Sequence, residues 1–215
     1  MPIPLKYTAE FEESSYYHVF NRTNNKEPLF LSDDNRHFFL KKFQDIVGIY
    51  TDTLCWNLLL NHFHFFVKIK TIEEITRALK QIQQFKSMSE KRFLNNEITF
   101  NTLIQNSFRR FFQSYALAYN KQHGRSGNLF HRPFRRVIVT NSSYYTAVIV
   151  YIHTNAWKHG LCDDFRDYKW SSYQTLLDEA SGNSEHQEVI KWFGGQEAFA
   201  RDHLNSAPLY KNFIF

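Results

Sequence analysis

The sequence predicts an α+β fold built around one antiparallel sheet, and two observations carry this prediction. Runs rich in aromatic and β-branched residues, typical of strands, alternate with segments whose apolar residues recur at helical spacing. In addition, 43% of the 215 residues are hydrophobic, which is enough to fill one domain. The predicted order is strand, helix, strand, strand, helix, strand and a further helix.

The first half of the chain supplies three of the predicted strands. Residues 16–20 form an aromatic strand, and a helix follows from Ser32 until its apolar spacing fades near Gly48. Two strand-like runs, 54–60 and 62–69, follow each other with almost no gap. This spacing predicts a tight antiparallel hairpin.

The second half supplies the remaining helices and the last strand. Helical spacing runs over residues 72–93 and resumes over 108–119, and a short strand is predicted at 136–140. Asn141-Ser142-Ser143 caps a further helix that extends to about His159, before Gly160. This order matches a ferredoxin-like split βαβ sheet with helices on one face and an added C-terminal helix.

The predicted boundaries divide the chain into one domain and a tail. Residues 1–178 form the predicted domain, with a polar insertion at about 95–106. Residues 179–215 form a predicted C-terminal helical tail. Within it, a polar patch covers residues 180–188 and a last helix covers 196–204.

Composition narrows the class of protein. The formal net charge of +5 and a pI near 9.1 allow a polyanionic partner, and aromatic residues (18%) provide core filling or platforms for nucleobases. Two distant cysteines, Cys55 and Cys162, predict neither a disulfide framework nor a cysteine zinc site. The first residues lack the pattern of a signal peptide, and no apolar run is long enough for a membrane helix. We therefore predict a soluble, cytoplasmic protein without a membrane partner.

Two histidines of the third strand are candidate metal ligands. Strand side chains alternate, so His62 and His64 project from one face and Phe63 projects from the other. Two neighbouring imidazoles can occupy adjacent positions around one divalent metal. The alternative is a pair of half-buried histidines hydrogen-bonded to the backbone.

Tyr151 and Asn155 form a second candidate pair. They lie four residues apart in a predicted helix and therefore share one face. A tyrosine is a nucleophile whose ordinary pKa of about 10 requires help at neutral pH. A metal that polarises a phosphate oxygen gives such help, and the Asn155 amide oxygen is a suitable third ligand. Taken singly, Tyr151 also fits a core aromatic and Asn155 a solvated side chain.

The basic loop before the last strand is the third candidate element. Its glycines permit close backbone approach, arginines bind phosphates through a forked donor set, and aromatic rings stack on bases. Composition alone slightly favours the alternative, a solvated surface loop. The candidate residues are Arg125, Phe130, Arg132, Arg135 and Arg136.

Five motifs together resemble the REP-associated tyrosine transposases, a branch of the HUH group of single-tyrosine transposases. The resemblance covers about residues 14–178, in the order and spacing of that family. The motifs are Tyr17-His-Val-Phe-Asn-Arg22, Asn61-His-Phe-His64, Gly124-Arg-Ser-Gly-Asn-Leu-Phe130, Tyr151-Ile-His-Thr-Asn155 and Trp170-Ser-Ser-Tyr173.

The resemblance implies a chemistry. Tyr151 would attack single-stranded DNA, form a 5′-phosphotyrosine link and release a 3′-hydroxyl. Mg²⁺ or Mn²⁺ would be held by His62, His64 and Asn155, with no small-molecule cofactor. The implied partner is single-stranded or hairpin DNA, and the protein would act as a monomer or a homodimer. The candidate DNA-binding residues are Arg22, Arg125, Phe130, Arg132, Arg135 and Arg136.

The chain departs from the family pattern at two prolines. Leu60 and Ala156 stand where the family usually has proline, which affects the hairpin turn and allows the tyrosine helix to continue through Asn155. Neither change removes a chemical group. The alternative function is a catalytically silent, domesticated protein of the same fold that binds single-stranded DNA or RNA.

Overall fold

A four-stranded sheet forms the centre of the protein in the computed structural model, which describes residues 7–82, 84–85, 87–178 and 183–210. The strand order is β2-β3-β1-β4, and every neighbouring pair is antiparallel. This order confirms the predicted α+β fold with a split βαβ sheet. The strands are β1 (Tyr16–Arg22), β2 (Thr51–Leu58), β3 (His62–Ile69) and β4 (Arg135–Val139).

Helices cover both faces of this sheet. One face is covered by α1 and α4, and the other by α5, on which α7 and α8 pack. The added helix of the prediction is α5. The described helices are α1 (Asp33–Val47), α2 (Ile72–Gln81), α3 (Met88–Leu94), α4 (Phe100–Gln122), α5 (Ser142–Lys158), α6 (Tyr173–Leu177), α7 (Ser184–Phe193) and α8 (Gln196–Tyr210).

The starts of the principal helices are set by side-chain caps. The side chain of Ser32 accepts a hydrogen bond from the Asn35 backbone at the start of α1. Thr99 caps α4 in the same way, and Asn141 caps α5. Each cap satisfies a backbone N–H that has no partner inside its helix, and it defines where the helix begins.

The middle of the chain differs from the prediction. The single helix predicted over residues 72–93 is two helices, because α2 ends at Gln81 and Ser87 begins α3 with a capping box to Glu90. Residues 83 and 86 lie outside the described residues. Helix α4 begins at Phe100 rather than near 108, so its first two turns occupy a segment whose polarity suggested an insertion.

The C-terminal segment contains a helix that the prediction lacks. Helix α7 covers Ser184–Phe193, so it begins within the polar patch predicted at 180–188 and extends beyond it. Residues 180–182 of that patch lie outside the described residues. Val189 and Phe193 of α7 and Phe199 of α8 are buried in the same apolar cluster as α5. Helix α8 continues past the predicted end at 204 to Tyr210.

The face covered by α1 and α4 holds the larger apolar core. Phe63 and Phe65 of β3 point into it, and the ring of Phe65 stacks on Phe43 of α1 with 4.0 Å between ring centroids. Phe39 and Phe111 pack around the same rings. Because β3 alternates, its histidines must face the other way, toward α5.

Candidate active site

The site begins with the two histidines of β3. His64 lies in register with Phe20 of β1 and Asn57 of β2, and His62 lies opposite Arg22. Their ring centroids are 5.4 Å apart. His64 is buried and His62 is half-buried. The structure therefore brings the two imidazoles side by side on the face toward α5.

Hydrogen bonds hold one nitrogen of each imidazole. His62 Nδ1 donates to Asn61 Oδ1 at 2.7 Å. His64 Nδ1 lies 2.8 Å from Nε2 of His18, so one of these two nitrogens donates to the other. A metal-binding histidine characteristically has its second nitrogen fixed in this way, which leaves Nε2 for the metal. His18 was not among the predicted site residues.

Burial keeps both imidazoles neutral. Desolvation lowers the pKa of His64 well below its ordinary value, and nearby His18 and His62 lower it further. The pKa of His62 is lowered to about 3, first by burial and then by the neighbouring His159. Both rings are therefore unprotonated at neutral pH, which is the form that binds a metal.

Helix α5 and His159, the residue that follows it, place three side chains over this pair. Tyr151 contacts His64 edge-on, with 5.7 Å between ring centroids, and His159 contacts His62 at 4.9 Å. Asn155 lies one helical turn from each of them. Since the two outer residues contact the two histidines, Asn155 faces the space between.

Asn155 carries an unsatisfied oxygen. Its side chain is 1% exposed, and its Nδ2 donates to the Tyr151 carbonyl at 2.7 Å. Its Oδ1 is buried without a hydrogen-bond partner. A buried acceptor left unpaired costs about 1–3 kcal/mol, so it calls for a ligand.

The donor set fits a divalent cation. Imidazole nitrogen and carbonyl oxygen are both metal ligands, and two neutral histidines with one unpaired amide oxygen supply three of them. Among the described residues, no three His, Cys, Asp or Glu side chains converge as a metal site. The candidate set therefore depends on the Asn155 amide.

Tyr151 is held as a protonated phenol. Burial raises its pKa, and the nearby Asn155 amide lowers it in part. The side chain is 5% exposed, and the ammonium group of Lys158 lies 5.4 Å from its ring centroid. A cation at this position favours negative charge on the phenol or on a phosphate beside it. Lys158 and His159 were not among the predicted site residues, although both share the Tyr151 face of the helix.

Polar contacts fix α5 on the sheet. Asn57 of β2 donates from Nδ2 to the Ile152 carbonyl at 2.7 Å and to the His153 carbonyl at 3.3 Å. On the far side of α5, the His153 ring lies 2.8 Å from His203 and 2.9 Å from the Ser172 hydroxyl. The helix continues through Asn155 to Lys158, as expected from Ala156 in the proline position.

Other tyrosines of α5 lie away from the histidines. Tyr144 is exposed, and Tyr145 packs against Tyr16 and Trp192. The described tyrosine of α5 that contacts the histidine pair is Tyr151.

Two of the six candidate DNA-binding residues lie beside the histidine pair. Arg22 is exposed across the sheet from His62, and Arg135 lies in the same register row as Phe20 and His64. The guanidinium of Arg135 stacks over Tyr7, 5.3 Å from its ring centroid. Both cations thus border the candidate site.

The remaining candidates lie elsewhere. Arg125 binds Glu27 and Asn120 and so fastens its own loop. Arg136 points to the opposite face, where it binds backbone carbonyls; burial lowers its pKa to about 10. Phe130 is buried against Phe112, and Arg132 is exposed on the loop before β4.

Comparisons with known proteins agree with this fold. Among solved structures, the chain resembles a REP-associated tyrosine transposase bound to a REP hairpin, with a TM-score of 0.55 and 14% sequence identity. The match covers 82% of this chain and 87% of the other. No protein-family model and no curated protein matches the chain. Within the described residues, no helix is long and apolar enough to cross a membrane. The chain thus shares the fold of that transposase, a four-stranded antiparallel sheet with helices on both faces.

Proposed function

We propose that this protein cleaves and rejoins single-stranded DNA through a 5′-phosphotyrosine intermediate on Tyr151. One observation carries the proposal: α5 lays Tyr151 and Asn155 over the face of β3 that presents His62 and His64. A nucleophile, two neutral imidazoles and an unpaired amide oxygen are assembled there, and ordinary packing needs none of them.

The chemistry assigns a role to each group. The Tyr151 hydroxyl oxygen attacks the phosphorus of a phosphodiester, and the bond to the 3′ oxygen breaks. The phenol loses its proton, and the departing 3′ oxygen gains one, so the products are a 5′-phosphotyrosine and a free 3′-hydroxyl. Attack of a 3′-hydroxyl on the phosphotyrosine reverses the step and rejoins a strand.

His62, His64 and Asn155 would hold the metal, Mg²⁺ or Mn²⁺ by resemblance to the family. Such a cation polarises a phosphate oxygen, and that help suits a phenol whose pKa is raised by burial. Arg22 and Arg135 border the site and offset the negative charge of the phosphates on either side.

The proposed substrate is single-stranded DNA, including hairpin-forming repeats. The fold is shared with a protein solved on a REP hairpin, and the net charge of +5 suits a polyanion. One chain suffices for the proposed chemistry, since Tyr151 reaches His64 of its own sheet. Two residues separate the end of β4 from the start of α5, so this arrangement needs no exchange of helices.

Cleavage of labelled hairpins tests the proposal. Purified protein is incubated with 5′-labelled or 3′-labelled oligonucleotides in Mn²⁺, Mg²⁺ or EDTA, and the products are separated on denaturing gels. The expected result is a metal-dependent covalent adduct that carries the 3′ label and is lost in His64→Ala. Binding of the same hairpins without cleavage in any metal would instead support the catalytically silent binding protein.

A further inference from the structure

A concave surface lies on the side of the sheet away from α5, between the C-terminal half of α4 and the loop at 127–134. Its volume is about 910 Å³, at the upper end of the roughly 300–1,000 Å³ typical of ligand pockets. Phe112, Phe130 and Phe134 form its floor, and they belong to the apolar core beneath α4. We call this surface the α4 groove.

The α4 groove is positively charged at its rim. The exposed side chains of Arg109 and Arg132 line it, whereas Arg136 lines it as a buried side chain bound to backbone carbonyls. None of the described lining residues is Asp or Glu. The exposed amides of Gln113 and Asn128 stand at the same rim. Aromatic floor, amide side chains and arginines are the combination by which proteins hold the bases and phosphates of unpaired nucleic acid.

The loop before β4 joins this groove to the candidate active site. The His131 backbone donates a hydrogen bond to the Arg22 carbonyl, so the loop runs beside the cation opposite His62. Arg132 then lines the groove, and Arg135 returns to the face of the histidines. Positive charge therefore continues around the β4 edge from one surface to the other.

We propose that the α4 groove binds an unpaired segment of the DNA strand, with bases over the phenylalanine floor and phosphates at Arg109 and Arg132. This proposal rests on the proposed function for the class of nucleic acid. It adds a contact site that lies away from Tyr151 and uses α4, which the sequence motifs do not include.

Leu117 gives a sharp test because it lines the groove but is 72% exposed, so substitution leaves the core intact. Leu117→Glu and Leu117→Lys are compared for binding by fluorescence anisotropy. The probes are a hairpin with a single-stranded extension and the same hairpin with a blunt end. EDTA is present throughout, so binding is measured without cleavage.

The expected result depends on charge. Leu117→Glu weakens binding of the extended hairpin by about tenfold, Leu117→Lys preserves or tightens it, and the blunt hairpin is little affected. Arg109→Ala weakens the same complex and reduces its salt dependence by about one phosphate contact. Met88→Glu and Met88→Lys, on an equally exposed residue of α3 (69%), leave binding unchanged.

Three results would overturn the proposal. Equal weakening by both Leu117 variants would show that positive charge at the groove does not hold the strand. Equal weakening for blunt and extended hairpins would show that the groove does not bind the unpaired strand. Unchanged binding in every groove variant would show that the groove does not bind DNA. The binding assay does not measure cleavage, so failure of the nuclease proposal is distinguishable. In that case the groove variants still change DNA binding as expected, whereas the separate cleavage assay with metal yields no adduct.

Discussion

The two faces of the sheet are built from the same strands but differ in chemistry. Toward α1 and α4, β3 presents Phe63 and Phe65, which stack with aromatic residues of both helices. Toward α5 it presents His62 and His64, and further buried polar side chains lie on this side of the sheet. The buried polar residues on the α5 side are His18, Asn57, His153, Asn155, Ser172 and His203.

This difference has a free-energy cost on the α5 side. Apolar burial stabilises a fold without directional requirements, whereas a buried polar group must find a partner or cost free energy. His64 is matched by His18 and His153 by His203, but the Oδ1 atoms of Asn57 and Asn155 are not matched. The face toward α1 and α4 therefore stabilises the fold through apolar burial, whereas the α5 face combines apolar burial with polar groups held in fixed positions.

Phe65→Ala should have the largest effect on folding. Its ring is buried and stacked on Phe43, and removal of a buried phenylalanine costs about 3–5 kcal/mol. Chemical denaturation measures the loss. His62→Ala, on the same strand but half-buried on the other face, serves as the control and should cost much less. Equal losses would contradict the division of roles between the faces.

Acid should destabilise the α5 side through its buried histidines. Burial lowers the pKa of His203 to about 4, so the unfolded chain binds a proton at higher pH than the folded one. The contribution of His203 to the free energy of unfolding is fully present above pH 6.5 and is lost as the pH falls toward 4. The loss is about 1.4 kcal/mol per pH unit, or about 3 kcal/mol in all.

His203→Gln removes that titration while it keeps a hydrogen-bonding side chain. Thermal unfolding is measured between pH 7.5 and pH 4. The free energy of unfolding should depend less steeply on pH in the variant, because the variant takes up about one proton fewer on unfolding. An identical pH dependence in the two proteins would show that His203 is not held neutral.

Asn57→Ala should loosen α5 with a smaller cost. The side chain joins β2 to two carbonyls of α5, and loss of such a buried donor costs about 1–3 kcal/mol. Because this contact positions the helix that carries Tyr151, cleavage should fall more than hairpin binding. Single-turnover cleavage and anisotropy measure the two. Full cleavage activity in a folded Asn57→Ala protein would show that the contact does not position α5.

Arg125→Ala should have the smallest effect on the affinity for hairpin DNA. Its guanidinium binds Glu27, Asn120 and backbone carbonyls of its own loop, so little of it remains for a phosphate. Arg135→Ala, beside the histidines, should weaken hairpin binding several-fold under the same conditions. A larger loss of affinity in Arg125→Ala than in Arg135→Ala would reverse this assignment.

Local periodicity accounts for what the sequence could predict. Alternation along β3 placed His62 and His64 on one face, and the four-residue spacing in α5 placed Tyr151 and Asn155 together. The same alternation separates the adjacent Arg135 and Arg136 onto opposite faces, a signal that the arginine-rich loop obscured.

Contacts between distant segments could not be predicted in the same way. The approach of His18 to His64 depends on the register of β1 against β3, which no local pattern encodes. The role of Arg125 as a loop fastener depends on where Glu27 lies in the fold. Helix α7 was missed because its polar first turn resembles a loop, whereas its buried residues, Val189 and Phe193, come later.

Identification of the covalently modified residue tests the central claim most directly. Wild-type protein and the Tyr151→Phe, Tyr144→Phe and Tyr145→Phe variants are incubated with a cleavable hairpin and Mn²⁺, and the adducts are digested and mapped by mass spectrometry. The proposed mechanism predicts a nucleotide phosphate on Tyr151, lost in Tyr151→Phe and retained in the other two variants. An adduct that persists in Tyr151→Phe, or maps to Tyr144 or Tyr145, would contradict it.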